Sequence, residues 1–338
     1  MNEFKVEVKK LKIGLKMIFL IIIPVAIIMA FVLNDVSKTA NPRIGILQLV
    51  EHDALDEARK GFLDGLAEHG LIDGENITID YENAQGEQSN CCLLTNKLIN
   101  KKTDLILSIA TPAAQALANA TKDIPILVTA ITSPQAAGLV ETNEKPNTNV
   151  TGTSDLAPVK KQIGLIKDLM PSAKKVGILF CSNEANSEYQ ASLAAKEIEK
   201  LGLQSQMFTV SQSSEVAQVV QSMVGNVDAI YTPTDNMMAS TMPTISSIAT
   251  AAGIPVVCGE TNVVHKGSIG TYGMDYYKLG KLTAHQAFEI LVNHKKPQDM
   301  PIEYLEQNDL TLNSDIIDAL NIKVPEKLRK IANFVKTE

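Results

Sequence analysis

The chain has 338 residues, 45% of them hydrophobic, and a formal net charge of −7. This length is sufficient for two domains of ordinary size, each with its own buried core. Four cysteines and a normal apolar content exclude a disulfide scaffold, a disordered or collagen-like chain and a polytopic membrane protein. The acidic balance argues against nucleic acid as a partner, because such binding needs clustered positive charge.

Residues 17–33, MIFLIIIPVAIIMAFVL, form an uncharged apolar run. As a helix the run would span roughly 25 Å, the short end of what a membrane requires. The Lys-rich stretch before it predicts that the rest of the chain lies outside the cytoplasm. Residues 1–40 are therefore a basic segment followed by an uncleaved anchor, which we favour, or by a cleaved signal. Cleavage is disfavoured because Lys38 stands two residues before Ala40, where a small residue is needed. A buried core helix is the least favoured reading, because the run is apolar on all faces.

Strands and helices alternate from residue 42 onward. The first half contains predicted strands at 43–50, 76–84, 104–110 and 124–131, and predicted helices at 54–70, 89–102 and 111–122. Continuous runs of Val, Ile and Leu are typical of parallel strands buried on both faces. The pattern predicts an α/β fold with a parallel sheet.

The second half repeats this pattern. Predicted strands lie at 174–181, 203–210, 228–233 and 254–259, and predicted helices at 159–171, 186–202, 214–225 and 238–253. The two halves open alike, with Arg43-Ile-Gly-Ile-Leu and Lys175-Val-Gly-Ile-Leu. We therefore predict two doubly wound lobes of the same plan. A helix at 277–296, a strand at 301–306 and a terminal helix at 328–337, expected to fray, complete the chain.

Signals for catalysis are weak. The strands are not followed by a GxGxxG, GxxxxGK[ST] or GxSxG motif, and the five histidines lack metal-binding spacing. Cys91 and Cys92 are adjacent in the sequence. Cys181 and Cys258 each end a predicted strand, and the sequence leaves open whether these two form a disulfide or remain buried free thiols. We predict that the chain is not an enzyme and uses no metal or cofactor.

Ligands of open parallel sheets bind beyond the carboxyl ends of the strands. Thr111-Pro112 begins a helix there, and a helix N-terminus suits a carboxylate group. Glu184 or Asp235 would pair with an ammonium group. The expectation is a zwitterionic ligand, although helix capping alone explains each of these residues nearly as well.

Several stretches resemble a known family. They are QLVEHDALDEARKGFLDGL, ITIDYENAQGEQSN, SIATPAAQALANATKDIPILVTAITSP, ILFCSNEANS, AIYTPTDN and TYGMDYYKLGKLTA. Together they resemble the solute-binding component of an ABC transporter, of the group that binds tryptophan, tyrosine or other aromatic amino acids. The resemblance covers nearly all of residues 42–322. It implies a periplasmic-binding-protein type I fold, with two lobes that close on a ligand by bending at a hinge.

The resemblance implies a first lobe of residues 42–155 plus 277–298 and a second lobe of residues 156–276 plus 299–325. Crossings between them are expected near 154–158, 274–277 and 297–301. The candidate ligand-binding residues, from the strand ends and the resemblance together, are Asp53, Leu55, Thr111, Ser133, Ser182, Asn183, Glu184, Asn186, Ser187, Thr234, Asp235, Asn236 and Glu260.

The implied function is that of the extracytoplasmic binding component of an ABC importer, which takes up a small zwitterion such as tryptophan. Its partners would be the amino acid, a membrane permease and the ATPase that powers it. The protein would be anchored through residues 17–33 on the outer face of the cytoplasmic membrane, or secreted after cleavage. The lipid-accepting Cys common in the family is absent after the apolar run. The alternative function is an extracellular sensor lobe for a signalling partner.

Overall fold

The computed structural model describes residues 41–306 and 309–338. The predicted membrane segment 17–33 lies outside these described residues. Within them, no helix has both the length and the apolar character needed to cross a bilayer.

Two β-sheets organise the described chain. The strands are β1 (Arg43–Gln48), β2 (Thr78–Asn83), β3 (Leu105–Ile109), β4 (Ile126–Thr129), β5 (Val150–Ser154), β6 (Lys175–Cys181), β7 (Gln204–Val210), β8 (Ala229–Thr232), β9 (Val256–Cys258), β10 (Gly270–Gly273), β11 (Glu303–Tyr304), β12 (Asp309–Asn313) and β13 (Asn333–Val335). The first sheet has the order β11-β5-β4-β3-β1-β2, and the second has the order β13-β12-β10-β9-β8-β6-β7. The predicted α/β architecture with two parallel-sheet lobes is confirmed, except that β12 runs antiparallel to β10.

Helices cover the two sheets. They are α1 (Asp53–Glu68), α2 (Gln88–Asn100), α3 (Thr111–Ala120), α4 (Val159–Leu169), α5 (Ala185–Lys200), α6 (Val216–Met223), α7 (Asn236–Ala251), α8 (Thr261–Val264), α9 (Tyr276–Leu291), α10 (Ser314–Ala319) and α11 (Glu326–Arg329), with short 3₁₀ turns at Ser213–Glu215 and Pro297–Asp299. Central strands such as β3 are buried at every position, as expected of a sheet covered on both faces. Each lobe therefore has its own hydrophobic core.

The chain passes between the lobes three times. The first crossing follows β5, and the second lies between β10 and α9, which packs against α1 in the first lobe. The strand expected in the second lobe after residue 299 instead joins the first sheet, where Glu303 and Tyr304 pair with Thr153 and Ser154. The third crossing therefore follows Tyr304 and reaches the second sheet at Asp309.

The end of the chain differs from the predicted fraying helix. It forms the short helix α11 and then β13, which pairs in parallel with β12 from Thr311 to Asn313. The second lobe thus extends beyond residue 325. The pairing is favoured because Asn333–Val335 satisfies the backbone groups of an otherwise open sheet edge.

The cysteines are free thiols. Strand β8 lies between β6, which ends at Cys181, and β9, which ends at Cys258. Two strand spacings amount to roughly 10 Å, and a disulfide needs Cα atoms within about 7 Å. The disulfide alternative for this pair is therefore wrong in this fold.

Candidate functional site

The carboxyl ends of the two sheets face each other across a cleft. A cavity of about 620 Å³ at its mouth is lined by both lobes, with Val50 and Pro112 on one side and Glu184 and Met237 on the other. The topology therefore brings the strand-end residues of both halves of the sequence to one place.

Polar contacts join the lobes across this cleft. Gln190 Nε2 donates to Thr132 Oγ1 at 2.8 Å, His52 Nε2 lies 3.2 Å from Asn236 Oδ1, and Lys266 Nζ lies 3.2 Å from Asp53 Oδ2. Burial lowers the pKa of His52, so the ring is neutral at pH 7. Because the Asn236 amide nitrogen is directed at Glu184, its oxygen is free to accept from the His52 N–H. The lobes are closed on each other.

Glu184 caps helix α7. Its carboxylate accepts the backbone N–H groups of Asn236 and Met237, each at 3.2 Å, and the side-chain amide of Asn236 at 2.5 Å. The helix dipole favours a negative charge at this position. Burial and the nearby Asp235 nevertheless raise the pKa of Glu184 to about 7.

Backbone N–H groups also bind both carboxylate oxygens of Asp235. Its Oδ2 accepts from the N–H of Cys181 at 2.7 Å, and its Oδ1 accepts from the N–H of Met238 at 2.8 Å. The side chain therefore ties the end of β6 to the start of α7. Asp235 holds the site together and has no free oxygen to offer an ammonium group.

We expect Asp235→Ala to lower the free energy of unfolding by about 2 to 3 kcal/mol, because it leaves two buried N–H donors unpaired. Urea unfolding followed by circular dichroism measures this change. The conservative variant Asp235→Asn, which keeps acceptor capacity through its amide oxygen, should lose less. Equal losses in the two variants would contradict the assignment.

Glu260 has the free carboxylate oxygen that Asp235 lacks. The side chain is 3% exposed, it receives the backbone N–H of Asp235, and its Oε2 has no hydrogen-bond partner. The loop that carries Glu260 can lie close to the backbone of Thr234 and Asp235 because residue 259 is glycine. A Cβ on Gly259 would lie 2.3 Å from the backbone nitrogen of Thr234. Glu260 thus presents one unpaired oxygen inside the protein.

Asp155 lies at the first crossing, beside Tyr276 at the second. The Tyr276 hydroxyl donates to Asp155 Oδ2 at 2.8 Å, whereas Asp155 Oδ1 is buried without a partner. Complete burial raises the pKa of Asp155 to about 6. A second free carboxylate oxygen is therefore built into the hinge.

The four carboxyl groups form one buried acidic cluster, which consists of Asp155, Glu184, Asp235 and Glu260. Burial raises the pKa of Glu260 well above its ordinary value, and the charges of the other three raise it further. In the described part of the chain, these carboxylates form no ion pair with a Lys, Arg or His. Buried charges of one sign are costly unless a cation compensates them.

Other buried polar atoms near the cleft also lack partners. They are Thr111 Oγ1, Asn186 Oδ1, Gln190 Oε1 and Thr234 Oγ1. Helix α3 begins at Thr111 without a side-chain cap, and the preceding Ala110 has a φ of 83°. Because buried polar groups are normally hydrogen-bonded, these atoms indicate where a polar ligand fits.

Several predicted ligand-binding residues make contacts within the protein. Leu55 is packed in the core of the first lobe, and Asp53 is on the surface, paired with Lys266. Ser133 accepts the N–H of Ala136 in a turn. Ser182 and Asn183 donate instead to the backbone oxygens of Val210 and Ser211. Ser187, by contrast, is fully buried beside Asn186.

Three residues beside this candidate site were not expected from the sequence: Asp155, Tyr276 and Gln190. Gln190 lies three and four residues after Ser187 and Asn186, so helical spacing places all three on one face of α5. Asp155 directly follows β5, a strand that the hydrophobic pattern did not indicate. The helical spacing of Gln190 was therefore a signal present in the sequence, whereas Asp155 had none.

Two α/β lobes closed over a polar cleft, with three crossings between them, are the architecture of the periplasmic-binding-protein type I fold. A family model described as ABC transporter substrate binding protein matches residues 43–336. The chain belongs to this family, whose members are solute-binding components rather than catalysts.

Several known proteins are similar to this chain. A tyrosine-binding protein of Clostridioides difficile (strain R20291) is 41% identical over 293 residues, which are 86% of this chain and 85% of that protein. An ABC domain in complex with L-Trp from Streptococcus pneumonia has a TM-score of 0.85 and 39% identity, and covers 88% of this chain and 100% of its own.

A ligand-free, open structure of a substrate-binding protein with adhesive properties from Clostridium difficile covers 88% of this chain and 100% of its own. Its identity is higher, 44%, but its TM-score is only 0.68. This chain is therefore closer in shape to the L-Trp complex than to the open structure. That difference agrees with the hydrogen bonds across its cleft.

Proposed function

We propose that this protein binds an aromatic L-amino acid as a zwitterion in the cleft and delivers it to an ABC importer. The observation that carries the proposal is the presence of free carboxylate oxygens on Asp155 and Glu260, in a buried cluster that no Lys, Arg or His of the described residues neutralises. An ammonium group has the charge and the three N–H donors that this pair lacks.

The ligand carboxylate is assigned to the first lobe. Helix α3 presents an uncapped N-terminus, and the Thr111 hydroxyl is 1% exposed and unpartnered. Backbone N–H groups and partial positive charge at such a terminus suit an anion. Each end of the zwitterion would thus hold a different part of the protein, which favours closure on the ligand.

An aromatic side chain is supported by the relatives, one named for tyrosine and one complexed with L-Trp. We assign transport to a membrane permease and its cytosolic ATPase. Residues 17–33 and the Lys-rich stretch before them support retention at the outer face of the cytoplasmic membrane. Release after cleavage of a signal is the alternative.

A thermal-shift screen of the full-length protein against the twenty amino acids tests the proposal. A ligand at 100 times its Kd adds about 2.7 kcal/mol, or roughly 5 to 10 °C for a domain of this size. We expect this shift with L-tyrosine or L-tryptophan and not with the D-enantiomers. A shift only with sugars or nucleosides would contradict the ligand class.

Removing the hydrogen bond that His52 makes across the cleft should change the affinity for the amino acid only moderately. We expect His52→Ala to weaken amino-acid binding about fivefold, because the closed form loses one hydrogen bond of about 1 kcal/mol to Asn236. Isothermal titration measures this change. His294→Ala, in an exposed loop after α9, serves as the control and should bind normally.

A further inference from the structure

Asp155 and Glu260 lie near enough to each other in the cleft for the charge of Asp155 to raise the pKa of Glu260. Asp155 belongs to the hinge, where Tyr276 and Thr132 bind its carboxyl group. Glu260 follows β9 in the second lobe, where the backbone of Asp235 binds it. Each residue retains one buried oxygen without a donor.

The other charged groups that act on this pair are all acidic. Asp235 at the start of α7 and Glu184 before α5 add to the charge of Asp155 at Glu260. The neutral titratable groups beside the pair are Tyr276 of α9 and Cys258 of β9. No cationic group of the described residues is paired with any of them, so full ionisation of the closed, empty cleft would leave several uncompensated charges.

We propose that the Asp155–Glu260 pair holds one proton in the empty cleft and releases it to solvent when the ammonium group of the ligand binds. This inference rests on the proposed function. The exchange is balanced: one R–NH₃⁺ enters, one carboxyl O–H bond breaks, and one H⁺ leaves. The ammonium group then donates to the carboxylate oxygens of Asp155 and Glu260 that have no other donor.

The exchange makes binding dependent on pH. Burial raises the pKa of Asp155 to about 6 and the pKa of Glu260 well above its ordinary value, so the proton is present in mildly acidic solution. Binding must remove it, and affinity therefore rises with pH by up to about tenfold per unit. The dependence levels off at higher pH, once the empty protein has already lost the proton.

Isothermal titration of the full-length protein with L-tyrosine and L-tryptophan, in phosphate and in imidazole buffer near pH 6, counts the protons. The two buffers have different ionisation enthalpies, so the difference between the heats observed in them gives the number of protons released. We expect roughly half a proton or more per ligand. Binding without proton release, or with proton uptake, would overturn the exchange alone. Absence of binding by both amino acids would overturn the proposed function, and the exchange with it.

Asp155→Asn provides the test at residue level. It keeps the size of the side chain and an acceptor for Tyr276, but removes the shared proton. We expect release to fall severalfold and the pH dependence of Kd to flatten. Asp168→Asn, a surface carboxylate on α4 paired with Lys327, is the matched control and should release as the parent does. Undiminished release in Asp155→Asn would overturn the assignment of the proton to this pair.

Discussion

Gly280→Ala is expected to destabilise the protein by about 3 kcal/mol, although alanine is the better helix former by about 1 kcal/mol. Gly280 lies in α9, where a Cβ would come 2.0 Å from the backbone oxygen of Ala58 in α1. On the facing helix, a Cβ at Gly61 would come equally close to the backbone oxygen of Tyr277. Neither backbone can yield locally, so the two helices would have to separate.

The expected readout is a decrease in Tm of about 6 to 10 °C by calorimetry. Gly164→Ala is the matched control, because Gly164 is inside α4 and an added Cβ would meet no atom within 4 Å beyond the backbone of its own helix and its chain neighbours. That variant should gain about 0.5 to 1 kcal/mol from helix propensity and lower unfolded-state entropy. If both variants were stabilised, the close contact between α1 and α9 would not exist in solution.

The fold was largely predictable because its central strands are continuous apolar runs. Leu105–Ile109 and Lys175–Cys181 were recognised within two residues of their bounds, and the helices between them by their spacing. Burial on both faces imposes such runs on parallel strands. The repeated opening of the two halves indicated two lobes for the same reason.

Strands β5 and β10 were missed because their residues do not look apolar. Val150–Ser154 reads VTGTS and Gly270–Gly273 reads GTYG. Here neighbouring elements bind the hydroxyl groups: Thr153 contacts Thr283, and Thr271 donates to the backbone oxygen of Cys258. Tertiary contacts of this kind leave no periodic pattern in the sequence. The loss of β5 also concealed Asp155, which follows it.

The rule that ligands bind at strand ends predicted the location of the site but not the role of each residue. It selected Glu184, Asp235 and Glu260 alike. Only the structure shows that backbone N–H groups bind the carboxylate oxygens of Glu184 and Asp235, whereas Glu260 keeps one oxygen without a partner. That distinction depends on the backbone directions of three separate loops, and a single sequence does not specify them.

Glu260→Gln is expected to weaken binding of the amino acid about 100-fold, or by roughly 3 kcal/mol, while stabilising the ligand-free protein. The loss follows because the ammonium group would lose its buried anionic partner. The gain follows because burial and three nearby carboxylates raise the pKa of Glu260, so ionisation of this group opposes folding. The two effects have opposite signs because the cluster is arranged for the ligand rather than for stability.

The sign of the pH effect separates this explanation from general damage. A carboxyl group whose pKa is raised on folding stabilises the protein while protonated, and that contribution is lost as pH rises through its folded pKa. The Tm of ligand-free Glu260→Gln should therefore exceed that of the parent at pH 8, and the difference should shrink toward pH 5. The exposed Glu144 gives the control variant Glu144→Gln, which should change neither binding nor this pH profile. A Tm below that of the parent at pH 8, with binding retained, would show that Glu260 supports the fold and does not receive the ammonium group.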